Sequence, residues 1–257
     1  MAGPADSPGF PDLPETVRKI RQRTPARLLA GRSGAAYRTD LQLELREAHA
    51  AARDAVRTEL DVEKAFGSEF IDRWKLFEVG TEAENKEQYL LRPDLGRQFN
   101  EASKNAIREH CPRGCDLQIA IGDGLSATAV AAQVPSLLPL LVDKAKSRGW
   151  RLGRIFVIRH CRVGIFHEIG GLLDPQVAVL LIGERPGLAT AESLSAYMAY
   201  RPRASHTDAD RNLISNIHGR GLSAQQAAER ILNLAAQMMK VRLSGSTLRE
   251  ELPALNE

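Results

Sequence analysis

The sequence contains no run of about 18 apolar residues, the length a membrane-spanning helix needs. Its first residues lack the hydrophobic stretch of a secretory signal, so the expectation is a soluble, intracellular protein. Cysteine is scarce. Cys111, Cys115 and Cys161 cannot all pair, and three in 257 residues fit a reduced compartment better than a disulfide framework. Aromatic residues are few as well: seven Phe, four Tyr and two Trp leave little to stack on bases, and a net charge of only +3 adds no basic footprint for nucleic acid. There is no G-x-S-x-G elbow to make a hydrolase of Ser126, Ser193 or Ser195, and no internal repeat.

What is present is an ordinary globular composition, 43% hydrophobic and 26% charged, in a chain long enough for one large domain or two unequal ones. Residues 1–14 hold four prolines and two glycines without apolar periodicity and read as a disordered tail. Residues 15–68 read as a small helical domain too small to bury much surface alone, which docks on something larger. In it Thr39 to Arg57 is a helix, with Thr39 and Gln42 in capping-box spacing and Leu41, Leu45, Ala48, Ala52 and Ala55 on one face. Gly31-Arg32-Ser33-Gly34 makes a basic turn, a solvated loop by default.

Residues 69–257 read as the α/β part. Trp74 to Val79 and Gln88 to Leu91 suggest a hairpin, followed by a helix from about Gly96 to His110 and a strand Asp116 to Ile121. Then come a helix from Ser126 to Gly149, interrupted near Pro135, a strand Arg154 to Arg159, a helical piece His167 to Leu172 and the unbroken apolar run Val177 to Ile182. Ser195 to Tyr200 is the next strand, and Ser223 opens a last helix with Ala227, Ile231, Leu234, Met238 and Val241 inward. Strands alternating with helices predict an α/β fold with a mostly parallel sheet. The run Val177 to Ile182 suits a strand covered on both faces, and Gly183-Glu184-Arg185-Pro186-Gly187 then lies at the carboxyl edge where such sheets bind ligands.

Two cofactor readings come from the residues alone. Gly122-Asp123-Gly124-Leu125-Ser126-Ala127 matches the dinucleotide fingerprint after a strand and before a helix. Against it, Asp123 sets a carboxylate where a pyrophosphate would lie, and the acidic residue expected some 20 positions on is missing from a strand end. His110, Cys111, Cys115, His160 and Cys161 do not have the spacing of paired zinc knuckles, and buried, unliganded cysteines are the better reading. The loops Gly122 to Ser126, His160 to Val163, Gly183 to Gly187 and Asp210 to Asn216 combine glycines, amides and isolated carboxylates. That rim suits a large ligand edged with neutral amides, such as a corrin.

On these same residues the chain resembles the small subunit of ethanolamine ammonia-lyase. The resemblance rests on Leu91-Arg92-Pro93-Asp94-Leu95-Gly96-Arg97, Asp123-Gly124-Leu125-Ser126, Ile182 through Leu188, Glu192-Ser193-Leu194-Ser195, and Ala209-Asp210-Arg211 with Ile214 through His218. It implies a Rossmann-like domain that supports adenosylcobalamin at the interface with a large, catalytic subunit. The complex would convert ethanolamine to acetaldehyde and ammonia by radical chemistry that the cofactor initiates, inside the cytoplasm or a bacterial microcompartment. Val163, Glu184 and Leu213 occupy the family's cobalamin-contact positions. Leu213 stands where familiar members carry a cysteine, which leaves backbone and apolar contact there. Asp123 and Gly124 join them from their place at a strand end. No D-x-H-x-x-G motif exists, so the cofactor's own benzimidazole is the expected lower ligand of cobalt.

Overall fold

The computed structural model describes residues 14–24, 27–29 and 31–250; of the tail expected over residues 1–14, all but Pro14 lies outside the described residues. In chain order the elements are α1 (Glu15–Gln22), α2 (Thr39–Arg57), α3 (Val62–Phe66), α4 (Ser68–Trp74), β1 (Phe77–Gly80), α5 (Lys86–Leu91) and α6 (Glu101–His110). They continue with β2 (Leu117–Gly122), α7 (Ala127–Ser147), β3 (Phe156–Arg159), α8 (Phe166–Leu173), β4 (Val177–Gly183), β5 (Leu194–Tyr200), β6 (Asn212–Ile217) and α9 (Ala224–Val241). Short 3-10 turns stand at Leu95–Arg97, Val163–Ile165 and Asp208–Asp210. No described helix is long and apolar enough to cross a membrane.

The strands form one six-stranded mixed sheet in the order β1-β3-β2-β4-β5-β6. The first four run parallel, whereas β5 is antiparallel to both β4 and β6. All seven residues of β4 are buried, as a strand covered on both faces requires. On one face Val130, Val134, Leu137 and Leu141 of α7 and Ile231 and Met238 of α9 pack over Val179 and Leu181. On the other, Ile107 of α6 and Ile169 and Leu173 of α8 pack over Phe156, Ile158 and Leu180.

Several sequence expectations change. The hairpin over residues 74–91 is instead α4, the single strand β1 and α5. The Asn85 side chain accepts the Gln88 N–H at 2.9 Å and starts a helix, and Tyr89 is buried. A four-residue apolar run does not distinguish the two periods, and the cap decides it. The helix expected to begin at Gly96 begins at Glu101, behind the cap Asn100, whose side chain accepts the Ser103 N–H.

Helix α7 runs unbroken through Pro135 and Pro139. Each proline costs about 3 kcal/mol in a helix interior, but each buried Leu or Val along this face contributes about 1.5–3 kcal/mol. Thr39 is the first helical residue of α2 rather than its cap; Arg38 holds that position without a side-chain bond. On α2 only Leu41 is fully buried, and Leu45, Ala48, Ala52 and Ala55 are half-buried on the expected side. The capping box at Ser223 and Gln226 and the buried stripe of α9 form as expected, except that Val241 is exposed. Asp210 to Asn216, expected as a loop, is largely the edge strand β6.

Candidate functional site

Asp123, just after β2, ties that strand's carboxyl end to the end of β3. Its Oδ1 accepts the Cys161 N–H at 2.8 Å and its Oδ2 accepts the His160 N–H at 2.9 Å. Lys86, from α5, places Nζ 3.8 Å from Oδ2 and donates to the Gly124 carbonyl at 3.1 Å. Burial lowers the Lys86 pKa, and the Asp123 carboxylate opposes that shift. Asp123 is only 2% exposed and its oxygens face the protein. The carboxylate thus shapes the turn that carries Val163 from beneath.

Gly124, at φ +58°, sits where a methyl group would overlap the Gly183 carbonyl oxygen, so the β2 and β4 ends touch backbone to backbone. Leu125 N–H donates to that same carbonyl at 3.0 Å. Ser126 caps α7 by accepting the Ala129 N–H, and its hydroxyl donates to the Ala191 carbonyl. The fingerprint loop therefore has the predicted strand, turn and helix around it, yet the 184–193 segment lies over it and Ser126 is fully buried.

The open surface lies elsewhere. The α6 and α8 layer packs against β1 and β4, while β5 and β6 take their main helix packing from α9 on the opposite face. Tyr197 pairs with Leu180 of β4 and, on its other side, with Leu213 of β6. Tyr197 is half-buried and Leu213 is 46% exposed, whereas Ser195 and Ala199 on the same face of β5 are buried, so this face is open at the edge strand β6. Glu184 lies at its upper end, its carboxylate accepting hydroxyl hydrogen bonds from Ser193 at 3.1 Å and from Ser195. Val163 packs at the border with the covered half. Burial raises the Tyr197 pKa, helped by the carboxylates of Glu184 and Asp208 and opposed by Arg211.

Val163 follows β3, Glu184 follows β4 and Leu213 lies on the edge strand β6, while Asp123 and Gly124 are buried in the turn after β2. Sequence reading missed Tyr197 and the two serines that hold Glu184. Their signal was available: in Leu194 to Met198 the residues Ser195 and Tyr197 alternate with Leu194, Ala196 and Met198, so one face is polar and aromatic and the other apolar. It also missed Arg97, whose Cγ and Cδ lie where a Cβ on Gly164 would be 2.8 Å away, and Arg211, seated over the Phe166 ring.

At the end of β4 this side presents a held carboxylate whose remaining lone pairs can accept from N–H groups. Cys111, Cys115 and Cys161 are buried and free, and burial pushes the Cys115 thiol up to about 11 and the Cys111 thiol up to about 12. Among the described residues no group of His, Cys, Asp and Glu is placed to hold a metal ion.

The family model described as ethanolamine ammonia-lyase light chain (EutC) matches residues 14–249. The chain is 39% identical over 235 residues to the ethanolamine ammonia-lyase small subunit of Clostridium acetobutylicum, covering 91% of this chain and 95% of that protein. It is 41% identical over 236 residues to the protein of the same name from Pseudomonas putida strain W619, covering 90% and 86% respectively.

Proposed function

Because this chain belongs to the ethanolamine ammonia-lyase light chain family, we propose that it is the small subunit of an adenosylcobalamin-dependent lyase and holds the cofactor at the open β6 side of its sheet. A large subunit closes over the same face and carries the groups that handle ethanolamine. When bound, adenosylcobalamin supplies a labile cobalt–carbon bond, the source of the radical chemistry. The observation that supports this reading is the exposed Leu213 on the edge strand β6, paired with the half-buried Tyr197, with the Glu184 carboxylate held by Ser193 and Ser195 at the end of β4.

In this reading Glu184 accepts from corrin amide N–H groups, and Ser193 and Ser195 fix its rotamer. Val163 and Leu213 give apolar contact to the macrocycle. Asp123 and Gly124 act one layer below: the first sets the turn before Val163, and the second brings the β2 and β4 ends together so that Glu184 projects onto the face. The Rossmann-like description suits β1 to β4, and the helical unit over residues 15–68 is a further surface for the large subunit.

The test is co-expression with a large subunit, size-exclusion chromatography with adenosylcobalamin, and the visible cobalamin spectrum of the complex. The expected result is cofactor that co-elutes with the complex, is lost when this chain is omitted, and is weakened by Glu184→Ala. A complex that forms without retaining cobalamin overturns the cofactor role in favour of a purely structural subunit. A chain that binds NAD(P) and forms no complex would return the dinucleotide reading.

A further inference from the structure

At the opposite end of β4 from Glu184, about 25 Å away at the rise of an extended strand, lies a cavity of about 650 Å³. Its walls are the end of β5, the approach to β6 and the residues after α9, and hydrogen bonds tie them together. Arg201 N–H donates to the Gln176 carbonyl at 2.9 Å, Tyr200 N–H to the Ser244 hydroxyl at 3.0 Å, and that hydroxyl to the Asp210 carbonyl at 2.6 Å. The turn after β5 is closed by His206 N–H donating to the Arg203 carbonyl at 3.0 Å.

Charge in this cavity is unbalanced. Arg201 is committed to Asp174, which it grips through one amino group at 2.9 and 3.0 Å. Asp210, the one carboxylate on the wall, uses Oδ2 to accept the Thr207 N–H at 2.6 Å and hydroxyl at 3.0 Å. Arg203 and Arg242 line the same space, and among the described residues neither guanidinium has a hydrogen-bond or ion-pair partner. Arg242 ends α9 at φ +56°, the left-handed position that glycine fills at least cost, so a guanidinium stands where the backbone favours no side chain. His206 is on the wall as well, and its Nδ1 is shut off from solvent without a partner.

Two unpaired guanidiniums on one cavity, with the nearby carboxylate already engaged and a buried ring nitrogen unsatisfied, call for an anion. The planar fork of arginine matches the oxygens of a phosphate, and the volume is that of a small-molecule site rather than of a bare ion. We propose that this cavity binds a small phosphate-bearing molecule, with Arg203 and Arg242 donating to its phosphate oxygens and His206 at hand as a third contact. Since the cavity is a full strand length from Glu184, the site does not depend on the cobalamin reading.

The test is calorimetric titration of the full chain with three probes: inorganic phosphate, AMP and adenosine. Saturable one-to-one binding of AMP is expected, with none of adenosine. Tighter binding of AMP than of phosphate identifies an organic phosphate as the ligand; the reverse order identifies free phosphate. Arg203→Gln and Arg242→Gln should each weaken the phosphate probes by on the order of tenfold, the worth of one charge-assisted hydrogen bond. Arg113→Gln, which removes an exposed arginine outside the cavity, should leave binding unchanged. All three variants replace exposed side chains and should melt like the wild type. Absence of saturable binding by both phosphate probes, adenosine binding as tightly as AMP, or equal weakening by Arg113→Gln overturns the site.

Discussion

Asp123 and Cys161, 38 residues apart, are joined by a 2.8 Å hydrogen bond from a backbone N–H to a buried carboxylate. The adjoining His160 amide is held by the other oxygen, and Lys86 supplies the counter-charge. The turn that carries Val163 therefore takes its shape from a residue at the end of a different strand.

Removing that carboxylate should unfold more than it exposes. Asp123→Ala leaves Lys86 as an uncompensated buried cation and two amides unpaired, an expected loss of about 3–5 kcal/mol in urea titration. Adding Lys86→Met should recover part of it by removing the orphaned charge. A loss under about 1 kcal/mol would show that the network does not hold this turn.

The contact between strand ends should be equally intolerant. Gly124→Ala combines a left-handed backbone, worth about 1–2 kcal/mol for a residue with a Cβ, with overlap against the Gly183 carbonyl. Gly114→Ala is the control, since Gly114 has φ +69° but nothing within 4 Å of its Cβ position. Gly124→Ala should lower the melting temperature well beyond the control; equal shifts would remove the packing argument.

Leu213 should matter to the ligand and not to the fold. At 46% exposure, Leu213→Ala is expected to change stability by less than about 0.5 kcal/mol, while cobalamin retention by the complex falls. Retention unchanged in Leu213→Asp as well would place the corrin away from β6.

The thiols should be silent in the native chain. With Cys115 near 11, Cys111 near 12 and Cys161 fully buried with its pKa raised by that burial, the thiolate fraction at pH 8 is on the order of one in a thousand or less. A disulfide reagent at pH 8 should label none of the three until denaturant is added. Prompt labelling would mean that the elements over these residues open readily.

Periodicity and capping signals determined β4, the β2 strand with the turn before α7, and the α9 stripe, because each depends on residues within a few positions of one another. The short run Gln88 to Leu91 was ambiguous for the same reason: four residues do not carry a period. Residues alone also placed Glu184 at a carboxyl edge beside β4. What only the tertiary structure decided is non-local. The antiparallel turn of β5 and β6, the end of the α8 layer at β4, the pairing of Tyr197 with Leu213 and the inward aim of Asp123 all depend on partners far away in the chain. A strand's alternation shows that it has two faces, but which face stays open depends on where neighbouring helices run out, and no local pattern encodes that.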